Sequence, residues 1–197
     1  MNKPIILGLI LFLVVFAAIF LIVQRRSGQE QAAPGAITIE KDAEGPSTRR
    51  INVKLFFNSG GSTVLVPEDR AILYEENLHA QIQELLKELI KGPKGALAAT
   101  IPSGTQLRDL FISKDGIAYA DFSSEISSNH IGGSAAEMDT VYSIVNTIAL
   151  NFPQIKGVQI LVEDQAVETL NGHLDLSRPL KPDRSLIQPI AKSSKKS

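Results

Sequence analysis

Apolar and polar positions divide this chain into an unbroken apolar block, a polar stretch, and a long region where short periods alternate. The block spans residues 5–23, nineteen positions without a charged or hydrogen-bonding side chain. As a helix it measures about 28 Å at roughly 1.5 Å per residue, close to the thickness of a bilayer core. Gln24, Arg25 and Arg26 end it. A cleaved signal has an apolar core of about 7–15 residues before a small-residue cleavage site. This one is longer and meets two arginines, so the pattern predicts a retained transmembrane helix, with residues 1–26 as an anchor. Lys3 with the terminal amine on one side, and Arg25 with Arg26 on the other, leave the positive-inside bias balanced.

Residues 27–50 are rich in Gly, Pro, Glu, Gln and Ala and read as a flexible linker. At the far end, residues 191–197 finish in KSSKKS and read as a basic, disordered tail. Residues 51–190 form the domain between them. Ile51, Val53, Leu55 and Phe57 alternate with Asn52, Lys54 and Phe56, predicting a strand. A turn at 58–62 and a short strand at 63–66 follow, with Pro67, Glu68 and Asp69 expected to break it. Residues 70–75 are a further extended piece. A helix is expected over 78–91, capped by Asn77, with Leu78, Ile82, Leu85, Leu86, Leu89 and Ile90 on its apolar face. Gln81 falls on its wet side. Gly92 and Pro93 end it.

Residues 106–113 and 117–122 form a hairpin joined by Lys114, Asp115 and Gly116, with Ala118, Ala120 and Phe122 facing the core. Ser134 and Glu137 have the spacing of a capping box, opening a helix that Pro153 closes. A strand over 158–162, a turn at 163–165 and a brief pairing of 167–170 come next, then mostly irregular chain. Helices interleaved with mixed strands predict an α+β fold, a small mixed β-sheet with two helices packed on one face.

The absence of cysteine removes disulfides, thiol catalysis, Cys-ligated metals and a lipid-modified N-terminal cysteine. Beyond Arg26, 17 basic residues face 21 acidic ones, a balance that is not the footprint of a nucleic-acid binder.

Few residues suggest chemistry. His130, His173 and Asp175 are the only plausible metal nucleus, without a recognised ligand spacing, and no metal or cofactor is expected. Asp121 and Glu125 have the residue types of a glycosidase pair, and Ser123 or Ser134 with His130 and Asp121 those of a triad. Neither serine sits in a nucleophile elbow, and Asp121 and Ser123 are better read as loop fasteners. Gly132 and Gly133 before a helix offer room for an anion, but are better read as a tight chain entry. His79 reads as a boundary residue, Asn146 and Thr147 as local hydrogen bonders, and His173 as a fastener of the 171–173 turn. No catalytic, cofactor or metal residue is assigned.

The ordered run of LFF (55–57), LVPEDR (65–70), KGPKGAL (91–97), IPSGTQL (101–107), GIAYADFSSE (116–125), GGSAAE (132–137), YSIVNTI (142–148), FPQIKGVQILVE (152–163) and TLNGHLDLSRPL (169–180) resembles the GerMN domain family of sporulation and spore-germination proteins. Together the pieces cover about residues 51–180. The resemblance implies a non-enzymatic, extracytoplasmic domain of the bacterial cell envelope, acting by protein binding or assembly in sporulation or germination. Its expected partners are an envelope protein, a second copy of itself or peptidoglycan. The alternative is a peptidoglycan-remodelling hydrolase or its regulator. Two departures stand out: the apolar block replaces a lipid anchor, and a single copy fits where the sporulation member carries two. The expected location is the cytoplasmic membrane, single-pass, with the C-terminal domain outside.

Overall fold

The first strand, β1 (Arg50–Asn58), follows the expected alternation: Val53, Leu55 and Phe57 are buried. The computed structural model describes residues 49–60 and 64–188. β1 pairs antiparallel with β2 (Leu65–Leu73), which runs straight through the expected break at Pro67, Glu68 and Asp69. The reason lies in the register. The N–H of Lys54 donates to Asn151 and that of Phe56 to Thr147, both away from β2. Pairs of that parity, Phe56 with Pro67 included, exchange no ladder bonds. The N–H that Pro67 lacks belongs to the outer edge of β2, where its loss costs no ladder bond.

Helix α1 (Leu78–Ile90) buries Ile82, Leu85, Leu86 and Leu89, and Asn77 caps it by accepting the His79 N–H at 2.9 Å. Gln81, expected on the wet side, is buried instead. Its amide oxygen accepts the Glu75 N–H and its amide nitrogen donates to the Leu73 carbonyl, fastening the β2–α1 connection. The hairpin of β3 (Leu107–Ile112) and β4 (Ile117–Phe122) forms as expected, with Ala118, Ala120 and Phe122 wholly buried. Gly116, at φ +84°, makes its turn.

A four-residue helix, α2 (Glu125–Ser128), precedes the long α3 (Ser134–Asn151). Together they carry the chain from β4 to β5 (Gly157–Val162), which pairs parallel with β4. Parallel neighbours require such a crossover. A two-residue turn at Glu163 and Asp164, both at positive φ, then reverses the chain into β6 (Gln165–Ala166), two residues earlier than the expected pairing at 167–170. Among the described residues the order is β3-β4-β5-β6 in one sheet, beside the β1-β2 hairpin. The result is α+β: a small mixed sheet with the two substantial helices α1 and α3 packed against it. One core joins β1, α1, β4, α3 and β5 through residues such as Phe57, Leu85, Phe122, Ile144 and Ile160.

The α3 start departs from the capping-box expectation. Gly133, at φ +88°, is the cap residue and no side chain caps the helix; Ser134 is already helical. Glu137 turns inward, to the partners described below.

The expected transmembrane helix is corrected: no helix of the described residues is long and apolar enough to cross a membrane. The segment 5–23 that prompted the expectation lies outside the described residues, as do most of the 27–50 linker and the 191–197 tail.

Candidate functional site: a cleft at the start of helix α3

Three segments enclose a cleft of about 600 Å³: residues 98–103, residues 129–131, and the first turns of α3, with Asn58 at the end of β1. The Ala98 N–H donates to the Asn58 carbonyl at 2.8 Å, which sets the 98–103 segment beside β1. Gly132 and Gly133, at φ +83° and +88°, let the chain fold sharply from Ile131 into α3. Only glycine reaches that backbone region without strain.

The walls are mostly small or apolar: Ala98, Ala99, Ile101, Pro102, Ala135 and Ala136. Ile131 stands at the cleft 92% exposed. Among the described residues Asp139 is the only carboxylate lining it, and no lysine or arginine does so. Burial holds the Asp139 carboxyl above its usual range, against the opposite pull of a hydrogen bond from the Asn58 amide at 2.5 Å. Also lining the cleft, the His130 Nδ1 accepts the Gly132 N–H, leaving Nε2 to donate to Thr140 Oγ1 at 3.1 Å. The Thr140 hydroxyl donates onward to the Thr100 carbonyl at 2.6 Å. Among the described residues the buried Thr100 hydroxyl meets no hydrogen-bond partner.

The residues weighed for chemistry are not brought together. His130 lines the cleft, whereas neither Asp121 nor Glu125 does. Asp121 accepts Arg108 Nε at 2.9 Å and the Asp164 N–H at 2.9 Å. Arg108 also reaches Glu163 and Asp164, and Glu163 accepts the Ser124 N–H. This clamp holds the Glu163–Asp164 turn, whose two non-glycine residues at positive φ are each strained by about 1–2 kcal/mol. Glu125 opens α2, its pKa lowered by a hydrogen bond from Ser123. Ser123 Oγ accepts the Gln106 N–H. Asp121, Ser123 and Glu125, considered for hydrolysis, therefore each carry a structural bond.

His173 and Asp175 share a shallow depression away from His130. Among the described residues no group of three or more His, Asp or Glu is placed to hold a metal ion. His173 does fasten its turn: its Nδ1 and its N–H both meet Glu137 Oε2, at 3.1 and 2.9 Å. Glu137 Oε1 accepts the N–H groups of Leu170 and Asn171. Burial alone raises this carboxyl's pKa, but these donors more than offset it, leaving the pKa lowered.

Other polar residues read as local are tertiary. Asn146 pairs with both the N–H and the carbonyl of Asp183, and Thr147 and Asn151 cover the outer edge of β1. His79 donates from Nε2 to the Leu110 carbonyl at 2.6 Å. Arg70, 3% exposed, bonds Glu68, Glu88 and the Gly92 carbonyl, tying β2 to the end of α1. The sequence carried one signal of the cleft. Ile131 is a lone large apolar residue inside the polar, glycine-rich stretch SSNHIGGS, where no core face exists for it.

No curated protein matches the chain. Four solved chains do. A candidate lipoprotein of Clostridium perfringens is 31% identical over 73% of this chain and 93% of its own, with a TM-score of 0.48. The tandem GerMN domains of the sporulation protein GerM from Bacillus subtilis are 21% identical over 68% of this chain, with a TM-score of 0.52. This chain spans about half of that structure, 46%. The first GerMN domain of the same protein is 20% identical over 68% of this chain and 98% of its own, with a TM-score of 0.53. These last two show the fold. The profile of the family described as "Germane: Sporulation and spore germination" matches residues 54–168, more than half of the chain. The chain belongs to the Germane family, whose unit is the GerMN domain.

Proposed function

We propose that the domain works outside the cytoplasmic membrane, held at the membrane surface, as an assembly module that grips a partner protein of the cell envelope through the α3 cleft. The observation that carries this reading is the cleft itself. Alanine-lined walls and the exposed Ile131 offer apolar contact, and Asp139 supplies one half-buried negative charge. Such a site suits an extended partner segment that places a small apolar side chain beside a basic one. The cation returns to Asp139 the solvation that burial took from it. A partner confined to the same surface meets the domain at high effective concentration, so a weak interface suffices. The family's description, sporulation and spore germination, supports a role in one of those processes. A wall hydrolase is disfavoured, because Asp121 and Glu125 are each committed to a structural bond.

The test is selection from a library of displayed random peptides against the full-length protein in detergent. The expected outcome is enrichment of a basic residue next to small apolar ones, lost against Asp139→Asn. Enrichment without a basic preference, or equal binding to the variant, overturns the site. Protease added to intact cells examines the location: digestion of the domain agrees with it, and protection contradicts it.

A further inference from the structure

We infer that the partner's segment enters the cleft as an added β-strand, paired through its main chain with Ala99. This rests on the cleft being the binding site.

Residues 98–100 add a short third segment to the β1–β2 hairpin. Ala98 forms an antiparallel bridge with Asn58, its N–H donating to the Asn58 carbonyl at 2.8 Å. The bridge lies on the edge of β1 away from β2, which Thr147 and Asn151 cover further back along the strand. The hydrogen-bonding groups of successive strand residues point to opposite edges. With Ala98 turned to β1, the N–H and carbonyl of Ala99 face away from it. Among the described residues neither group has a hydrogen-bond partner, whereas the Thr100 carbonyl is taken by Thr140. Ala99 is exposed and lines the cleft. Unpaired main-chain groups at such an edge are a template for a further strand.

The side chains around that edge decide what the strand carries. Residues paired across two strands share a face, so Ala98 lies on the face of Asn58, whose amide holds Asp139. Ala99 turns to the other face, its methyl 3.7 Å from where a Cβ on Gly92 would lie. The partner residue that exchanges bonds with Ala99 shares this second face. Its neighbours there are Ala99 and Gly92, which suits a small apolar side chain. The residues before and after it fall on the face of Asp139. A lysine or arginine at either place meets the carboxylate, and among the described residues no cation lining the cleft competes for it. The occupant is thus an extended stretch of a partner protein with a basic residue directly beside a small apolar one. Main-chain bonds supply affinity for any sequence, and the basic residue supplies the choice.

The test uses a peptide from the selection above, bound to the full-length protein in detergent. Amide hydrogen exchange read by NMR should slow at Ala99 by about tenfold or more at saturating peptide, and by about twofold or less at Ala98, which is already bonded. N-methylating the peptide one residue at a time should weaken binding about tenfold at the residue that faces Ala99. At its two neighbours, whose N–H groups point away, the loss should be about twofold or less. Unchanged exchange at Ala99 with peptide bound, or equal losses along the peptide, overturns strand addition and leaves the cleft as the site. A selection that yields no binder overturns the site and this inference with it. Protection of Ala99 that rises with protein concentration and needs no peptide overturns the partner in favour of a second copy of this chain.

Discussion

Asn58 donates to Asp139 at 2.5 Å, joining the last residue of β1 to the second turn of α3 at the wall of the cleft. Burial raises the Asp139 pKa, so the folded state takes up a proton more readily than the unfolded one. The domain therefore loses some stability as pH rises from the usual aspartate range through the raised value. Asp139→Asn keeps an acceptor for Asn58 and removes the charge. Its thermal midpoint at pH 7 should be unchanged or slightly higher, while affinity for a basic peptide falls about tenfold, roughly 1.4 kcal/mol. A wild-type peptide affinity that weakens as pH drops through the Asp139 pKa is the accompanying signature, measured by titration calorimetry.

Glu137 predicts acid sensitivity of the opposite sign. Its folded pKa lies below the usual 4.5, so its contribution is complete above that value and disappears as pH falls through the depressed one. Glu137→Gln sets an amide NH2 against backbone donors of the 170–173 turn. The expected cost is about 2–3 kcal/mol at pH 7 in urea unfolding, with a smaller acid dependence than wild type.

The edge of β1 is closed by side chains rather than by another strand. Thr147→Val preserves shape and leaves the buried Phe56 N–H without its acceptor, at a cost of about 1–3 kcal/mol. Adding Asn151→Ala also frees the Lys54 N–H and carbonyl. An unprotected edge invites pairing between chains, so light scattering should find the double variant self-associating where wild type does not.

Gly116 is a strict requirement. A Cβ there meets the Gln154 carbonyl at 2.5 Å and the residue sits at φ +84°, so Gly116→Ala should cost about 2 kcal/mol or more. Gly95, with open space around it and no positive φ, serves as the control; Gly95→Ala should lose nothing in the same denaturation experiment.

The elements with strong periodicity were legible. Both long helices, the β3–β4 hairpin and its core face follow from apolar spacing and glycine turns alone. What failed shares one cause, that short polar motifs are ambiguous until tertiary partners exist. Pro67 reads as a strand break unless its position is known to face away from the β1 ladder. Ser134 and Glu137 match a capping box, but the backbone donors of residues 170, 171 and 173 outbid the local cap. Asn146 pairs with Asp183 across 37 positions of sequence, beyond any local rule. Apart from Ile131, the cleft left no trace for the same reason: its walls come from three separate segments, and Asp139 looks like any solvent-facing acid on a helix.

The most direct measurement of the cleft's role is photo-crosslinking in living cells, with a photoreactive amino acid placed at position 131 or at position 111. Both positions are exposed, at 92% and 61%, but only Ile131 borders the cleft. The account predicts discrete protein adducts from position 131 that vanish when Asp139→Lys is added, and none of these from position 111. The same adducts from both positions, or adducts indifferent to Asp139→Lys, would contradict it.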